Sequence, residues 1–297
     1  MTENIMTQDQ QPCPEYRITA DQLKLLGKSG DRHKYAYGHA IVVSGPAGQG
    51  GAARLAARGA LRIGAGLVSV FSAQDAKAEH AARLDAIMLK TYSDDRGFAD
   101  QLSALKPSAV CIGPNFGLSR DHRNKLSETL SLRFPLCLDA DAITLIAQEP
   151  DLIKAVSHAQ VIMTPHEGEL RRLIPNAFDK TSCRVSLAKI AAREMGCNVL
   201  FKGADTIVAR PSGDCVVLKS KAFAHAAWLA TAGSGDVLSG FITGLMVRGF
   251  ASFDAAALGA SLHLQCAEVI GPGLIAEDIP DALPSVLARY LAVQTAQ

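Results

Sequence analysis

The chain has 297 residues, enough for one large α/β domain or two smaller ones. Hydrophobic residues make up 48% of it, and 30 basic against 29 acidic residues leave a formal charge of +1, so no overall field attracts nucleic acid or an anionic membrane. The seven cysteines form no CxxC pair, which argues against a disulfide framework and a zinc site and favours a reducing, cytoplasmic setting.

The first 36 residues are predicted to be a flexible or peripheral leader, followed by one domain over residues 37–297. The opening residues are polar and contain neither an apolar core nor a basic start, unlike a signal peptide. Later apolar stretches are interrupted well before the ~20 residues that a membrane span needs. We therefore predict no span, and the absence of a Pro/Ser-rich linker or an internal repeat favours a single domain.

Short runs rich in Val and Ile recur along the chain and are typical of parallel strands buried on both faces. They are HAIVVSG from His39, LVSVF from Leu67, AVCIG from Ala109, PLCLD from Pro135, QVIMT from Gln160 and NVLFK from Asn198. Ala-rich or Leu-rich stretches between them, such as residues 51–63, 120–132 and 182–195, are predicted helices. This alternation predicts βαβ units with right-handed crossovers around a mostly parallel sheet.

The pattern changes after Lys202. TIVAR from Thr206 and CVVLK from Cys215 are separated by PSGD, which predicts a hairpin and therefore an antiparallel pair. From Gly235 onward the chain is predicted to be helical almost to its end.

The segment LATAGSGDVLSGFITGLMVRG, from Leu229 to Gly249, is the most informative about chemistry. Its small-residue loop leads directly into a helix of period 3.6, whose free N–H groups and positive dipole end would form an anion site. Asp236 stands in the first turn of that helix. It either complements the helix dipole, or takes a proton from a substrate hydroxyl while the backbone donors hold a phosphoryl group that moves onto that oxygen.

GSGDVLSG resembles the GTGD-type signature of ribokinase-like kinases, and its surroundings resemble the NAD(P)H-hydrate dehydratase branch. Six further segments match that family in the expected order, which is far more specific than one motif. They are YGHAIVVSG from Tyr37, GAARLAARGALRIGAGLVSV from Gly51, IGPNFG from Ile112, LDADAI from Leu138, MTPHEGEL from Met163 and FKGADTIVA from Phe201. The resemblance implies a ribokinase-like three-layer α/β/α fold with a mostly parallel central sheet and a site at the sheet's C-terminal edge.

The activity implied by the resemblance is that of a lyase acting on the hydrated cofactors (6S)-NADHX and (6S)-NADPHX. ADP or ATP would phosphorylate the 6-hydroxyl, because hydroxide is a poor leaving group, and elimination of phosphate would restore NADH or NADPH. Single-domain relatives favour ADP, and Mg²⁺ would bridge the nucleotide phosphates. The resemblance also implies a homotetramer and a partner epimerase on a separate chain, since about 36 leading residues are too few for an epimerase domain.

The family's roles transfer to individual positions of this sequence. Asp236 would be the catalytic residue and would face the substrate. The other implied substrate contacts are Ala52, Asn115, Gly117 and His166. The implied nucleotide contacts are Lys202, Gly203, Ala204, Asp205, Thr206 and Gly235. Asn115 stands where relatives have a glycine, but Asn tolerates the left-handed conformation, so the turn can survive.

The residues alone leave alternatives open. His166 could cap a helix, and Lys202 could be a solvated lysine before a hairpin. In LDADAI, one of Asp139 and Asp141 could cap the helix and the other could hold a metal-bound water. Two rival functions also remain: a small-molecule kinase of the same superfamily, which would yield a stable phosphorylated product, and an idle nucleotide-binding module. The segment around His166 favours the dehydratase over the kinase, and the intact Asp236 and Lys202 argue against the idle module.

Overall fold

The computed structural model describes residues 13–93, 96–158 and 160–291. The strands in this part of the chain are β1 His39–Val43, β2 Leu67–Ala73, β3 Met88–Tyr92, β4 Ala109–Ile112, β5 Leu136–Leu138, β6 Val161–Met163, β7 Asn198–Phe201, β8 Asp205–Ala209 and β9 Cys215–Lys219. They form one nine-stranded sheet in the order β3-β2-β1-β4-β5-β6-β7-β8-β9. Neighbours from β3 to β7 are parallel, whereas β7–β8 and β8–β9 are antiparallel.

Thirteen α-helices connect and cover these strands within the described ranges. They are α1 Ala20–Leu26, α2 Gly51–Arg62, α3 Lys77–Ala81, α4 Phe98–Ala104, α5 Arg120–Ser131, α6 Ala140–Gln148, α7 Pro150–Val156, α8 Glu167–Leu173, α9 Pro175–Phe178, α10 Arg184–Met195, α11 Ser234–Val247, α12 Ser252–Ile270 and α13 Asp278–Leu291. Short 3₁₀ helices span Lys34–Tyr37, Gln74–Ala76, Ser220–Ala222 and Ala226–Leu229.

The structure confirms the six predicted parallel strands, the hairpin and the helical C-terminal part. The three predicted helices correspond to α2, α5 and α10, with ends that differ by two residues at most. Strand β3 was not predicted, because its sequence, MLKTY, contains an exposed Lys90 and only its last residue is buried. A half-covered edge strand of this kind lacks the continuous apolar run of a central strand.

Buried apolar residues form two clusters, one on each face of the sheet. Strand β1 shows why: Ala40 and Val42 belong to one cluster, and Ile41 and Val43 belong to the other, since successive side chains of a strand point to opposite faces. Helices α2, α11 and α12 cover the first face, and helices α5, α6 and α10 cover the second. The predicted three-layer α/β/α arrangement is therefore confirmed.

Helix α11 is held against α2 by unusually close backbone contact. A Cβ atom added at Gly240 would lie 2.0 Å from the carbonyl oxygen of Ala56, and one at Gly244 would lie 2.2 Å from Cγ2 of Ile63. Only glycine lets the two helices approach this closely at these positions. This contact fixes the position of α11, including its first turn.

Residues 13–36 contact strand β9 and the C-terminal end of helix α11. The backbone N–H of Tyr16 donates to the carbonyl of Val217, and the N–H of Val217 donates to the carbonyl of Pro14, both at 2.9 Å. Arg248 donates to carbonyls at the end of α1, including that of Leu25 at 2.6 Å. The division into a leader and one domain stays a prediction, and residues 1–12 of that leader lie outside the described residues.

No helix of the described part of the chain is long and apolar enough to span a membrane.

Candidate active site

Most of the predicted site residues follow adjacent strands at the same edge of the sheet. Asp139 follows β5, His166 lies three residues after β6, and Lys202 follows β7. Parallel neighbours end at the same edge, so these residues are brought together by the topology. The start of α11 reaches the same place, because the hydroxyl of Ser239 donates to Oδ2 of Asp139 at 2.7 Å.

Asp139 is the centre of a buried polar network. Its side chain is 2% exposed. Oδ1 accepts from Nζ of Lys202 at 2.8 Å and from the backbone N–H of Ala140 at 2.9 Å, while Oδ2 accepts from Ser239. Burial alone would raise the pKa of Asp139, but the Lys202 charge and the hydrogen bonds outweigh it and hold that pKa below its ordinary value. The carboxylate is therefore ionised, and it joins β5, β7 and α11.

Lys202 is an ion-paired residue rather than the solvated lysine that the local sequence also allowed. Its side chain is only 21% exposed. Burial lowers its pKa, but the carboxylates of Asp139 and Glu169 raise it by more, so the pKa lies above the ordinary lysine value. The ammonium stands next to the glycine loop, since a Cβ atom on Gly235 would lie 3.5 Å from Nζ. A fixed positive charge thus adjoins the first turn of α11.

The loop before α11 has the backbone form that an anion site needs. Gly233 precedes the helix in the left-handed conformation, with φ at 86°, and no side chain caps the first turn. His263 of helix α12 stabilises the first turn of α11, because its Nε2–H donates to the carbonyl of Ser234 at 3.1 Å. Burial lowers the pKa of His263 to about 4, so this imidazole is neutral and adds no charge. The N–H of Ser234 donates to the carbonyl of Thr231 at 3.4 Å, so the N–H groups that follow it in the first turn of α11 are the ones available to a ligand.

Asp236 lies in the first turn of α11 and is half-buried. Burial raises its pKa to about 7; the charge of Asp139 adds to the shift, and the charge of Lys202 opposes it. Its Oδ2 lies over the loop, 4.0 Å from the position of a Cβ atom on Gly233. A carboxyl group with a pKa near neutrality can accept and release a proton under physiological conditions.

The IGPNFG segment forms a tight turn, as expected, although one family glycine is replaced. Asn115 adopts φ of 50°, between Gly113 at 127° and Gly117 at 112°. The N–H of Gly117 donates to Oδ2 of Asp141 at 2.8 Å, so Asp141 holds this turn. A Cβ atom at Gly45, just after β1, would lie 1.8 Å from the carbonyl oxygen of Asn115. The turn therefore packs closely against the loop that leads into α2.

His166 caps helix α8, which was the local alternative to a substrate contact. Its Nδ1 accepts from the N–H of Glu169 at 3.2 Å, and its own N–H donates to Oε2 of Glu169 at 2.8 Å. The cap leaves the His166 side chain 56% exposed, so capping does not prevent contact with a ligand. The carbonyl of the preceding Pro165 accepts from the N–H of Lys202 at 2.8 Å, which places the two predicted segments side by side.

The predicted residues therefore fall into two connected groups. Around Asp139 the structure brings together Lys202, Gly235 and Asp236, and His166 adjoins them through Pro165. Gly203 and Ala204 form the loop after Lys202, and Asp205 and Thr206 are the first two residues of β8. Ala52, half-buried in the first turn of α2, belongs instead with Asn115 and Gly117 on the flank of β1 and β4.

Sequence reasoning missed three polar residues of the site. Ser239 within α11 donates to Asp139, His263 within α12 contacts the start of α11, and Arg184 at the start of α10 contacts the loop after Lys202. Each of them bonds to a residue far along the chain, so no local pattern identifies it. The only available signal is that polar residues on apolar helix faces need partners.

Comparison with known proteins gives consistent matches over most of the chain. A family model described as NAD(P)H-hydrate dehydratase matches residues 40–289. The bifunctional NAD(P)H-hydrate repair enzyme Nnr of Moorella thermoacetica is 34% identical over 281 residues, which cover 89% of this chain and 52% of that protein. The ADP-dependent (S)-NAD(P)H-hydrate dehydratase of Neisseria meningitidis serogroup B is 32% identical, with coverage of 89% and 88%. The chain thus spans about half the length of the bifunctional relatives that it matches.

Two solved structures place the fold. The ADP/ATP-dependent NAD(P)H-hydrate dehydratase from Bacillus subtilis, co-crystallised with ATP/Mg²⁺, superposes with a TM-score of 0.74 at 25% identity and covers 94% of this chain and 99% of that one. Ribokinase from Arabidopsis thaliana, complexed with ribose and ATP, gives a TM-score of 0.57 at 14% identity, with coverage of 84% and 98%. The second likeness concerns the fold alone, which is ribokinase-like.

Proposed function

This chain belongs to the NAD(P)H-hydrate dehydratase family, and we propose that it converts (6S)-NADHX or (6S)-NADPHX to NADH or NADPH with an adenine nucleotide as phosphoryl donor. The observation that carries the proposal is the placement of Asp236. Its carboxyl group, with a pKa raised by burial to about 7, stands in the uncapped first turn of α11 beside the charged Lys202. A proton acceptor therefore lies next to a group of backbone and side-chain donors that can bind an anion.

In the proposed reaction the ionised Asp236 removes the proton of the substrate's 6-hydroxyl as that oxygen attacks the terminal phosphorus of the nucleotide. The bond from this phosphorus to the bridging oxygen breaks, and the shortened nucleotide leaves. The first N–H groups of α11 and the ammonium of Lys202 stabilise the charge on the transferring group. Phosphate then leaves C6 with the electrons of the C6–O bond, the neighbouring C5 loses a proton to water, and the double bond that forms restores the conjugation of the nicotinamide ring.

Magnesium would accompany the nucleotide, where it would neutralise phosphate charge. Within the described residues no group of three or more His, Cys, Asp or Glu side chains could hold a metal ion. Asp139 and Asp141 both accept hydrogen bonds from protein groups. A site of this kind fits a Mg²⁺ ion whose ligands are chiefly phosphate oxygens and waters, which is usual for this ion.

The assignment of ligands to these residues follows the family resemblance. The nucleotide would bind along Lys202, Gly203, Ala204, Asp205, Thr206 and Gly235, and the substrate would contact Ala52, Asn115, Gly117, His166 and Asp236. We propose ADP as the donor, because the Neisseria meningitidis relative is named ADP-dependent, with ATP as the alternative, because the Bacillus subtilis enzyme is named ADP/ATP-dependent. A cytoplasmic setting, a homotetramer and an epimerase on a separate chain complete the proposal.

The direct test is incubation with enzymatically prepared NADHX and ADP or ATP, while the absorbance of reduced nicotinamide is followed. We expect nucleotide-dependent recovery of that absorbance, and no recovery without nucleotide. Accumulation of a stable phosphorylated product would instead indicate a small-molecule kinase. Tight nucleotide binding without turnover of any hydrated cofactor would indicate an idle binding module.

A further inference from the structure

Arg184 holds both ends of the loop that follows β7, although no role was predicted for it. It is the first residue of α10. Its Nη2 donates to the carbonyl oxygen of Lys202 at 2.9 Å and to that of Asp205 at 3.3 Å. These two carbonyls lie at the start and the end of the segment to which we assign the nucleotide. One nitrogen atom therefore fixes the distance across this loop.

The guanidinium group also fills the space beneath the loop. It lies 3.7 Å from the centre of the buried Phe201 ring, so it stacks on the last residue of β7. On the loop side, a Cβ atom at Gly203 would lie 2.2 Å from Nη2. A planar guanidinium fits between the ring and the glycine backbone, whereas a lysine ammonium would neither stack in the same way nor present several donors in one plane.

A third contact joins Arg184 to the other side of the site. Its Nη1 lies 3.7 Å from Oε2 of Glu167, which is the first residue of α8 and follows His166. Burial lowers the pKa of Arg184, and the charges of Glu167 and Asp205 oppose that shift. Arginine stays charged in either case. Arg184 thus links the loop assigned to the nucleotide with the helix start assigned to the substrate.

Stability alone does not account for this arrangement. Nε of Arg184 is buried without a hydrogen-bond partner among the described residues, and an unpaired buried donor is destabilising. The orientation of the loop offers a better reason. The carbonyl of Lys202 points at Arg184, and in a trans peptide the N–H points the opposite way, so the N–H of Gly203 is directed away from the guanidinium.

We propose that Arg184 is a positioning residue that holds the loop from Lys202 to Asp205 in its nucleotide-binding form without touching the nucleotide. The inference rests on the proposed function, because it assumes that this loop binds an adenine nucleotide. It predicts that loss of the guanidinium raises the dissociation constant and the KM for the nucleotide. The value of kcat at saturating nucleotide should stay unchanged, since Asp236 belongs to a different element.

The experiment compares wild type with Arg184→Ala, Arg184→Lys and, as a matched control, Arg193→Ala at an exposed position of the same helix. Calorimetric titration with ADP and with ATP gives the dissociation constants, and thermal unfolding reports the fold. We expect Arg184→Ala to weaken nucleotide binding by about tenfold, because the loop loses the charged donor that holds its two ends, and Arg184→Lys to recover little of it. Arg193→Ala should bind as wild type does.

Unchanged nucleotide binding in a folded Arg184→Ala variant would overturn the inference. If that variant fails to fold, Arg184→Lys decides, and wild-type affinity in it would contradict the proposal. A fall in kcat at saturating nucleotide, with KM unchanged, would also overturn it. Failure of the wild-type protein to bind either nucleotide would instead refute the proposed function itself, so the two failures are distinguishable.

Discussion

The two halves of the site are held in place by different physical means. The start of α11, with Asp236, belongs to a core helix whose glycines touch the backbone of α2. The loop from Lys202 to Asp205 is held by side chains, chiefly Arg184 and Asp139. Helix packing of this closeness allows little displacement, whereas a loop held by hydrogen bonds can be altered one contact at a time. The group proposed to move a proton thus lies on the more constrained element.

Asp139 joins the halves, since its two oxygens bond Lys202 in one and Ser239 in the other. Substitutions at residues other than Asp139 should therefore affect one half of the site without affecting the other. A substitution at the start of α11 should change the rate of the chemical step. A substitution in the loop or at α8 should change the affinity for one ligand.

The largest effect is expected for Asp236→Asn. Asparagine keeps the shape of the side chain but cannot accept the proton, so kcat should fall by about 10²–10⁴, the typical contribution of a general base. The dissociation constants for nucleotide and hydrated cofactor, measured by calorimetry, should stay within a few-fold of wild type. Loss of both affinities together with the rate would mean that Asp236 is structural.

Lys202→Ala should affect the half of the site that contains the loop from Lys202 to Asp205. Removal of the ammonium should weaken nucleotide binding by about 1.5–3 kcal/mol, the usual contribution of a hydrogen bond to a charged group. The substitution also leaves Asp139 as a buried carboxylate without its ion-pair partner, which destabilises the fold. The control is therefore the double variant Lys202→Ala/Asp139→Asn, in which that charge is absent. Nucleotide affinity equal to wild type in the single variant would remove Lys202 from the nucleotide site.

A smaller and more selective effect is expected at His166, which caps α8 and is also proposed to contact the substrate. His166→Ala removes both roles, and loss of a cap costs about 0.5–2 kcal/mol of stability. His166→Asn supplies another good capping residue but removes the imidazole. Both variants should raise the KM for hydrated cofactor and leave the nucleotide's dissociation constant unchanged. If His166→Asn behaves as wild type, His166 is only a cap.

These two halves were not equally predictable from the sequence. The start of α11 was predictable, because a glycine loop followed by a 3.6-residue hydrophobic period is a local pattern. The central strands were predictable too, because their apolar runs are continuous. The contacts that hold the loop were not. Arg184 lies 18 residues before the carbonyl of Lys202, and Ser239 lies 100 residues after its partner Asp139. Such residues are brought together only by the crossovers between strands, so the local sequence cannot predict which residues form these hydrogen bonds.

Asp139 illustrates the same limit. Its position at the entry to α6 predicted a cap or a water ligand, and it does accept from Ala140 within that cap. Its ion pair with Lys202 arises because β5 and β7 flank β6 in one sheet. Spacing within LDADAI contains no information about that neighbour, so the ionised state of Asp139 and its effect on Asp236 could not be predicted.

The central claim is that Asp236 is the base, and the pH dependence of kcat/KM tests it most directly, because this ratio reports ionisation of the free enzyme. Burial and Asp139 raise the pKa of Asp236 to about 7, against the charge of Lys202. The base must be ionised, so kcat/KM for hydrated cofactor should fall about tenfold per pH unit below that pKa and reach a plateau above it. The residual activity of Asp236→Asn should show no such inflection. A wild-type profile that is flat between pH 5 and 9, or the same inflection in the Asn variant, would contradict the claim.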